Sequence, residues 1–363
     1  MAHMSFLTNF FGKKKGASVL GIDIGSSSLK VVQLRKERGV VVLETYGELA
    51  LGPYGGAEVG QATNLPADTM AKTLTDLLRE ASVTTTNCGV SIPSSRSLLA
   101  FVELPRRDNP AEQKTVIELE ARKYIPVPVS EVQLDWFILP EPTSENGERA
   151  QNVNVLLVAV HNDEIKLLEN VIATAGLVAS FYEIEIFSTI RSVVDEPAKP
   201  VMIIDIGAGS TKVYVVEQNV VGVSHAIPHG GQDVTQAIAV SSSSDIVHAE
   251  QTKKKTGFVD AERSLRESME SVFSGIFGEA RRVLAQFEAE HHRSVSAIIL
   301  TGGGGVTKGL ADYAEKFFSI ATRIADPFAK TQAPAFMRPV LKEIGPEFSV
   351  AVGIALRKLT EHT

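Results

Sequence analysis

The chain has 363 residues, a hydrophobic content of 44% and a formal net charge of −7. This length favours two lobes over one compact core, and the acidic balance argues against a nucleic-acid partner, which would show a clustered basic excess. The single cysteine, Cys88, excludes an intramolecular disulfide framework and fits a reducing cytoplasm. The apolar run at 155–160 is far shorter than the roughly 20 residues that a spanning helix needs, so a soluble chain is predicted.

Residues 1–15 are predicted to stand apart from the fold. Residues 1–4 read as a cloning remnant and carry no information about the fold. Lysines at 13–15 follow four apolar residues that fall on one helical face, namely Phe6, Leu7, Phe10 and Phe11. Such a segment could lie in an anionic membrane surface, or its rings could dock on a neighbour, and the sequence leaves both open.

Residues 16–96 are predicted to form a first lobe. The β-rich stretches between 19 and 49 are broken at Gly25 and Gly39, which gives a pattern of strand, hairpin and strand. Apolar residues on one stripe, with a proline at the start, predict a helix over 66–81. The run 89–93 predicts the end of a buried strand.

Residues 97–180 form a self-contained α/β pattern that we interpret as an inserted subdomain. The predicted order is strand, helix, strand, strand and helix, at 98–104, 110–124, 132–139, 153–160 and 163–175. Asn109 and Asn162 suit N-cap positions, and Gly176 suits the end of the second helix. A polar loop at 140–151 joins the two adjacent strands.

A connecting helix at 181–199 leads to the second lobe at 200–335, whose smaller part, 2B, covers about 235–292. The lobe opens with a buried strand that ends at Asp205 and continues through hairpins to Ile227. Helices are predicted around 234–240 and 261–290, and a strand at 297–300 leads into the glycine run 302–305. Thr307 is expected to cap the next helix. Residues 336–363 are predicted to return to the first lobe through a closing helix at about 346–359.

Two short segments of the chain read almost alike. Residues 21–30 and 204–212 each contain an apolar run, an aspartate, a glycine turn, hydroxyl residues and a lysine. Each is followed by more strand, so both turns are predicted hairpin tips, whereas dinucleotide and P-loop turns open a helix. The dinucleotide fingerprint also fails because Lys212 stands at its last position, and 304–308 lacks the Gly-Lys-Ser/Thr ending of a Walker A motif.

The residue types in these turns suit a nucleoside triphosphate. Glycines let the backbone approach phosphates, lysines supply positive charge, and Asp23 and Asp205 suit a hydrated Mg²⁺, which takes few protein carboxylates. One glycine turn alone is more often a tight connection, but two near-duplicates followed by a glycine run that could hold a purine favour a nucleotide site. The predicted cofactor-binding residues are Gly25, Ser26, Ser27, Ser28, Lys30, Gly207, Ala208, Gly209, Ser210, Thr211, Lys212, Gly302, Gly303 and Gly304.

These residues resemble the actin-like ATPase superfamily, which includes actin, bacterial FtsA, sugar kinases and the ATPase domain of the large heat-shock chaperones. Segments 21–30, 204–212 and 300–305 are similar to its two phosphate motifs and its adenosine motif, and the resemblance spans 19–357. It implies an α/β, actin-like (ribonuclease H-like) fold of two lobes with ATP and Mg²⁺ between them.

The same resemblance implies roles for individual residues. Glu250, Lys253 and Gly257 would belong to the helix that contacts ribose and adenine, and Asp23 and Asp205 would be the metal-linked carboxylates. Glu185, with Asp205, is the catalytic candidate. It would either position an attacking water or simply cap a helix, and both readings stay open.

Within the superfamily the chain resembles the PilM family of type IV pilus assembly, through 118–126, 135–137 and 344–348. This implies an FtsA-type inserted 1C subdomain and a groove for the N-terminal cytoplasmic tail of PilN, a single-span inner-membrane protein. It further implies a cytoplasmic ATP-binding adaptor of the type IV pilus inner-membrane complex, held at that membrane through its partners, with slow or no ATP hydrolysis.

Two other functions stay open at this point. An FtsA-like filament-forming, membrane-associated ATPase is consistent with the phenylalanine- and lysine-rich leader. A sugar or acid kinase of the same superfamily would need an acidic residue outside the phosphate motifs to activate a substrate hydroxyl. The sequence pattern indicates no such residue.

Overall fold

The structure of the chain, a computed structural model, describes residues 17–139, 151–195 and 199–360. The leader with Phe6, Leu7, Phe10 and Phe11 lies outside the described residues, as does most of the polar loop that begins at residue 140. Within the described ranges, no helix is long and apolar enough to cross a membrane.

The described residues contain strands and helices in alternating groups. The strands are β1 Ser18–Ile24, β2 Ser28–Glu37, β3 Val40–Ala50, β4 Asn87–Ile92, β5 Ser97–Pro105, β6 Val132–Ile138, β7 Asn152–His161, β8 Val178–Ile184, β9 Val201–Ile206, β10 Thr211–Glu217, β11 Val220–Ile227, β12 Ala297–Thr301 and β13 Thr322–Ile324. The helices are α1 Ala67–Glu80, α2 Pro110–Ala121, α3 Asn162–Thr174, α4 Glu185–Val193, α5 Gly231–Ser242, α6 Ile246–Thr256, α7 Arg263–His291, α8 Gly302–Gly305, α9 Leu310–Phe318, α10 Arg338–Ile344 and α11 Ser349–Thr360.

Two five-stranded sheets repeat one topology. The first sheet has the order β3-β2-β1-β4-β8 and the second has the order β11-β10-β9-β12-β13. In each sheet, the three strands that come first along the chain (β1–β3 or β9–β11) form two antiparallel hairpins. The two later strands of that sheet add in parallel. The hairpin β1–β2 and the hairpin β9–β10 carry the twin glycine turns, which confirms that both turns are hairpin tips.

The same backbone hydrogen bond closes both turns. The Gly25 amide donates to the Ser28 carbonyl at 3.1 Å, and the Gly207 amide donates to the Ser210 carbonyl at 3.0 Å. In each hairpin the aspartate and the lysine are direct cross-strand partners, Asp23 with Lys30 and Asp205 with Lys212. Because side chains of a directly opposed pair point to the same face of a sheet, each turn presents one carboxylate and one ammonium side by side.

A third, smaller sheet has the order β5-β7-β6 and packs against α2 through its own apolar core. Helix α3 follows this sheet in the chain, yet its buried residues Leu168 and Val171 belong to the core of the first sheet, together with Leu74 of α1. The inserted unit therefore shares one helix with the body of the first sheet, and its boundaries at 97 and 180 stay a prediction.

The closing helix α11 packs directly on β1 and α4, and two glycines allow this approach. A Cβ on Gly21 of β1 would lie only 2.0 Å from the Ala351 carbonyl oxygen, and a Cβ on Gly353 would meet the backbone of Ser188 in α4. The alanine- and glycine-rich composition of this segment thus places backbone against backbone at a crossing where larger side chains do not fit.

Several local predictions differ from the structure. The connecting helix predicted at 181–199 begins only at Glu185, because the preceding residues Val178–Ile184 form strand β8. The glycine run, for which the sequence predicted no helix, forms the short helix Gly302–Gly305. Thr307 does not cap the next helix: its hydroxyl donates to the Gly304 carbonyl, and Gly309 occupies the N-cap of α9. Asn162 is the first residue of α3, since its side chain donates to the Ser130 carbonyl, and His161 is the N-cap. Helix α2 was predicted over 110–124 and ends at Ala121. The apolar pattern of the second lobe predicted helices around 234–240 and 261–290 but not α6, Ile246–Thr256.

Candidate functional site

A cleft of about 360 Å³ lies between the two twin turns. Its walls come from both large sheets, from α4, α5 and α6, and from the segment that precedes α11. The lining residues are Asp23, Gly25, Ser26, Ser27, Ser28, Lys30, Glu48, Ala50, Val59, Gly60, Glu185, Asp205, Gly207, Ala208, Lys212, Gly231, Glu250, Lys253, Lys254, Gly302, Gly303, Gly304, Pro346, Glu347, Ser349 and Val350.

Asp23 and Asp205 are the two buried carboxylates at the ends of β1 and β9. Asp23 accepts a hydrogen bond from Ser91 Oγ at 2.9 Å. Burial raises the pKa of Asp23 to about 6, an effect that the charge of Lys30 opposes. Burial also raises the pKa of Asp205 above its usual value, while the charge of Lys212 opposes this. Two desolvated carboxylates that resist ionisation are groups that a bound cation would stabilise.

Lys212 and Glu185 form an ion pair across the base of the cleft. The Lys212 Nζ lies 3.4 Å from Glu185 Oε2, and Glu185 Oε1 accepts from the Ser94 amide at 2.8 Å and from Ser94 Oγ at 2.7 Å. Burial alone would raise the pKa of Glu185, but Lys212 and the Ser94 donors hold it below its usual value. Burial would lower the pKa of Lys212, but Glu185 and Asp205 hold it well above its usual value. Both groups are therefore charged at neutral pH.

Lys30 is held by two groups at the opposite wall. Its Nζ donates to Ser28 Oγ at 2.6 Å and lies 3.2 Å from Glu48 Oε1. Burial would lower the pKa of Lys30, but the Glu48 and Asp23 charges outweigh this and raise it. Lys30 therefore keeps its positive charge while it lines the cleft.

Glu250 and Lys253 form a buried network at the second-sheet side. Lys253 Nζ lies 2.6 Å from Glu250 Oε2 and donates to the Gly231 carbonyl at 3.0 Å and to Thr235 Oγ1 at 2.8 Å. Although burial opposes it, the Lys253 ammonium holds the pKa of Glu250 below its usual value. This network fixes α6 against the start of α5 and leaves part of both side chains on the cleft wall.

The carbonyl oxygens of both turns are bound by neighbouring segments. Ser26 O accepts from the Thr63 amide and Ser27 O from the Leu51 amide, each at 2.8 Å. In the second turn, Gly207 O accepts from the Gly231 amide at 2.8 Å, and the Ala208 carbonyl accepts from the next residue of α5. Because these hydrogen bonds already occupy carbonyl oxygens of the turns, the turn backbone favours contact with an anion over contact with a cation.

Most of the predicted site residues meet in this cleft, including Asp23, Glu185, Asp205, Glu250 and Lys253. The cleft lining does not include Gly209, Ser210, Thr211 and Gly257. Thr211 is buried and donates to the His229 carbonyl, and Gly257 ends α6 against Lys308. The assignment of these residues to the cofactor therefore stays a prediction, from the turn motif for Gly209, Ser210 and Thr211 and from the family resemblance for Gly257.

Sequence reasoning missed several lining residues, of which Glu48, Glu347 and Lys254 are charged. The hairpin register carried a signal for Glu48, because Lys30 of β2 faces it directly on β3. Glu347 lies inside the segment 344–348 that carried the family resemblance, but no local pattern placed it in the cleft. Lys254 follows Lys253 in a lysine run that also reads as a solvated helix face.

The cleft suits a hydrated Mg²⁺ better than a metal held by protein ligands alone. In the part of the chain that the structure describes, no group of three or more His, Cys, Asp or Glu side chains is placed to hold a metal ion. Mg²⁺ keeps several waters and needs only one or two carboxylates beside substrate phosphates. Asp23 and Asp205 match that donor set. A Cβ on Gly302 would lie 2.4 Å from Asp205 Oδ1, so the glycine leaves room beside this carboxylate.

Comparison with known proteins agrees with this geometry. The model of the family "Type IV pilus assembly protein PilM" matches residues 21–359. The solved structure of a PilM-PilN type IV pilus biogenesis complex superposes with a TM-score of 0.79 at 26% identity, over 93% of this chain and 98% of that chain.

Two more distant relatives share the fold. The cell division protein FtsA of Pseudomonas aeruginosa is 24% identical over an alignment of 395 residues. The alignment covers 96% of this chain and 91% of that relative. MreB 5 of Spiroplasma citri, solved with AMPPNP, has a TM-score of 0.55 at 13% identity over 97% of this chain and 98% of that chain. The fold is thus actin-like and of the FtsA type. Since the family model covers nearly the whole described chain, the chain belongs to the type IV pilus assembly protein PilM family.

Proposed function

We propose that this chain is a nucleotide-dependent adaptor of type IV pilus assembly that binds ATP with Mg²⁺ between its two large sheets. The observation that carries the proposal is the pair of hairpin turns, one from each sheet, that line one cleft and each bring an aspartate and a lysine to it. A ligand that contacts both turns would hold the two sheets together, so its binding would shift the equilibrium towards a closed cleft.

Each group in the cleft has a role in this proposal. Lys30 and Lys212 would face the phosphates, and the turn amides would approach them closely because the glycines carry no side chain. Asp23 and Asp205 would hold the hydrated Mg²⁺, which supplies positive charge to the phosphates. The glycines of α8 would lie beside the base, with Glu250 and Lys253 on the opposite wall.

We propose that hydrolysis is slow or absent. Glu185 is the candidate for orienting water, yet Ser94 and Lys212 already engage both of its oxygens. Its pKa is held below the usual value, with Lys212 and Ser94 outweighing burial, and a general base works best with a pKa near the operating pH. A bound nucleotide would therefore act mainly on cleft closure.

The partner we propose is the N-terminal tail of PilN, because the similar solved structure is a PilM-PilN complex. A candidate groove of about 220 Å³ lies where the chain passes from the first sheet to the third, with Leu98, Val127 and Val132 among its lining residues. A partly apolar groove of this kind suits a short peptide. Such a contact would also hold the chain at the cytoplasmic face of the inner membrane.

Calorimetry tests the nucleotide site. Asp205→Ala should weaken Mg-ATP binding at least tenfold, because it removes one of two carboxylates placed for the metal. Asp163→Ala, which removes a carboxylate that is 96% exposed in α3, is the matched control and should bind as wild type does. Equal affinity of wild type and Asp205→Ala would remove the basis of the site assignment.

A peptide-binding measurement tests the partner. A synthetic peptide of the PilN N-terminus should bind with micromolar or better affinity and protect amides within 98–178 from hydrogen exchange. Val127→Glu should weaken binding at least tenfold, whereas Val178→Glu, the same change at a 66% exposed valine outside the groove, should not. Protection confined to the second sheet would place the peptide elsewhere.

A further inference from the structure

The short 3-10 helix Ser94–Arg96 contacts the walls of two cavities, the nucleotide cleft and the candidate peptide groove. On one side, the amide and the hydroxyl of Ser94 donate to Glu185 of the cleft wall at 2.8 Å and 2.7 Å. On the other side, Ser95 and Arg96 line the groove. A single helical turn therefore connects the two proposed ligand sites.

Arg96 extends this connection to a loop beside the cleft. Its Nη1 donates to both carboxylate oxygens of Glu164 in α3, at 3.0 Å and 2.7 Å, and its Nη2 donates to Asn64 Oδ1 at 3.3 Å. Charge-assisted hydrogen bonds of this kind hold a guanidinium in a defined orientation. Asn64 is the last residue of the segment 59–64, which we call the bridging loop. Arg96 thus tethers the bridging loop to the groove.

The bridging loop contacts both twin turns and joins the two large sheets. The Thr63 amide donates to the Ser26 carbonyl of the first turn at 2.8 Å. The Ala62 amide donates to Gln232 Oε1 of α5, on the second-sheet side, at 3.2 Å. A Cβ on Gly209 of the second turn would lie only 3.3 Å from the Ala62 Cβ. These contacts require the two sides of the cleft to be close together, so the position of the loop is linked to closure of the cleft.

We propose that Arg96 couples the two ligand sites, so that a peptide in the groove and Mg-ATP in the cleft each strengthen the binding of the other. The inference rests on the proposed function and adds to it the sign of the regulation and the residue that carries it. The Arg96 side chain is 40% exposed, so a peptide in the groove can reach it. Such a peptide would order the guanidinium and, through Asn64, the bridging loop.

A nucleotide would order the bridging loop from its other end. By contacting both twin turns it would hold Ser26 and α5 at the distance at which the loop binds both of them. Each ligand would then meet a loop that the other has already ordered, so the second ligand to bind costs less conformational entropy. Thermodynamic linkage makes the effect reciprocal, since both ligands share one coupling free energy.

Fluorescence anisotropy of a labelled PilN N-terminal peptide measures this coupling. We expect saturating Mg-AMPPNP, a poorly hydrolysed ATP analogue, to tighten peptide binding to wild type by about fivefold or more, as allosteric couplings commonly do. Arg96→Met keeps the aliphatic stem and removes the guanidinium, so the ratio of peptide affinities with and without nucleotide should fall below about twofold. The ratio is the readout because Arg96 also lines the groove.

Two further variants separate coupling from direct contact with a ligand. Asn64 is exposed and is not among the lining residues of either cavity, so Asn64→Ala should lower the ratio without removing a contact to either ligand. Arg263→Met is the matched control. It removes an arginine of α7 that is 92% exposed and lies 2.7 Å from a Glu267 oxygen, and it should keep the wild-type ratio.

Hydrogen exchange tests the ordering of the bridging loop without nucleotide. The amides of Ala62 and Thr63 lie outside the segment 98–178, which the peptide is expected to protect directly. In wild type these two amides should exchange more slowly when the peptide is bound, and Arg96→Met should lose that effect. Unchanged exchange at 62–63 when the peptide binds wild type would contradict the inference.

The outcomes separate this inference from the proposed function. An affinity ratio of one in wild type, with each ligand binding by itself, would overturn the inference and leave both sites in place. A wild-type ratio that persists in Arg96→Met and in Asn64→Ala would also overturn it, because the coupling would then follow another route. Absence of binding of either ligand to folded wild type would overturn both the inference and the proposed function.

Discussion

Lys212 Nζ lies 3.4 Å from Glu185 Oε2, so a lysine of the second sheet forms an ion pair with the first residue of a helix that packs in the core of the first sheet. The pair is mostly buried, and the Ser94 donors complete the coordination of the carboxylate. It is thus both a wall of the cleft and a link between the two halves of the molecule.

Removal of Glu185 should therefore leave the buried Lys212 ammonium without its ion-pair partner. We expect Glu185→Ala to lower the free energy of unfolding by about 3 kcal/mol, as breaking a buried pair from one side does. Glu118→Ala, at an exposed carboxylate 3.8 Å from Lys114, should lower it by less than about 0.5 kcal/mol. Denaturant unfolding measures both. The double variant Glu185→Ala/Lys212→Met should be no less stable than Glu185→Ala, and strictly additive losses would argue against coupling.

The closing helix offers a test of backbone packing with one substitution at two sites. Gly353→Ala should cost about 3 kcal/mol or prevent folding, because the new Cβ would overlap the Ser188 backbone. Gly275→Ala, in the interior of α7 with nothing within 4 Å of its Cβ position, should instead stabilise by about 0.5–1 kcal/mol through helix propensity. Thermal unfolding of the two variants compares them, and a Gly353→Ala protein as stable as wild type would contradict the close crossing.

Cys88 should not react with thiol reagents in the folded protein. It is fully buried in β4, and burial raises its pKa to about 12, so the thiolate is scarce at pH 8. A colorimetric thiol assay should detect no free thiol over an hour at pH 8 and one equivalent after denaturation. Rapid modification of the native chain would indicate that the first sheet opens locally.

Magnesium should matter to nucleotide binding through Asp23. Asp23 and Asp205 are buried carboxylates with raised pKa values, chiefly because burial disfavours their charge, and a cation would favour the charged forms. In wild type, exchange of Mg²⁺ for EDTA should weaken ATP binding at least tenfold, about 1.4 kcal/mol. Asp23→Asn should reduce that difference, whereas Asp163→Asn should preserve it. An undiminished magnesium effect in Asp23→Asn would show that the metal is held elsewhere.

The sequence by itself determined the local elements of this protein. Apolar runs broken by glycine turns predicted the paired hairpins, because a turn needs residues that tolerate its dihedral angles. The near-repeat of residues 21–30 at 204–212 predicted that both turns face one site, and both turns line the same cleft. The N-cap of α2 at Asn109 was also predictable, since it depends on the Ala111 amide two residues away.

Only the tertiary structure decided what depends on distant segments. Asn162 fits an N-cap by sequence, but the Ser130 carbonyl takes its side chain. The engagement of Glu185 by Ser94 and by Lys212 joins residues that are 91 and 27 positions apart along the chain. Local pattern reads neighbours along the chain, whereas the charge state of a buried carboxyl is set by whichever groups the fold brings beside it.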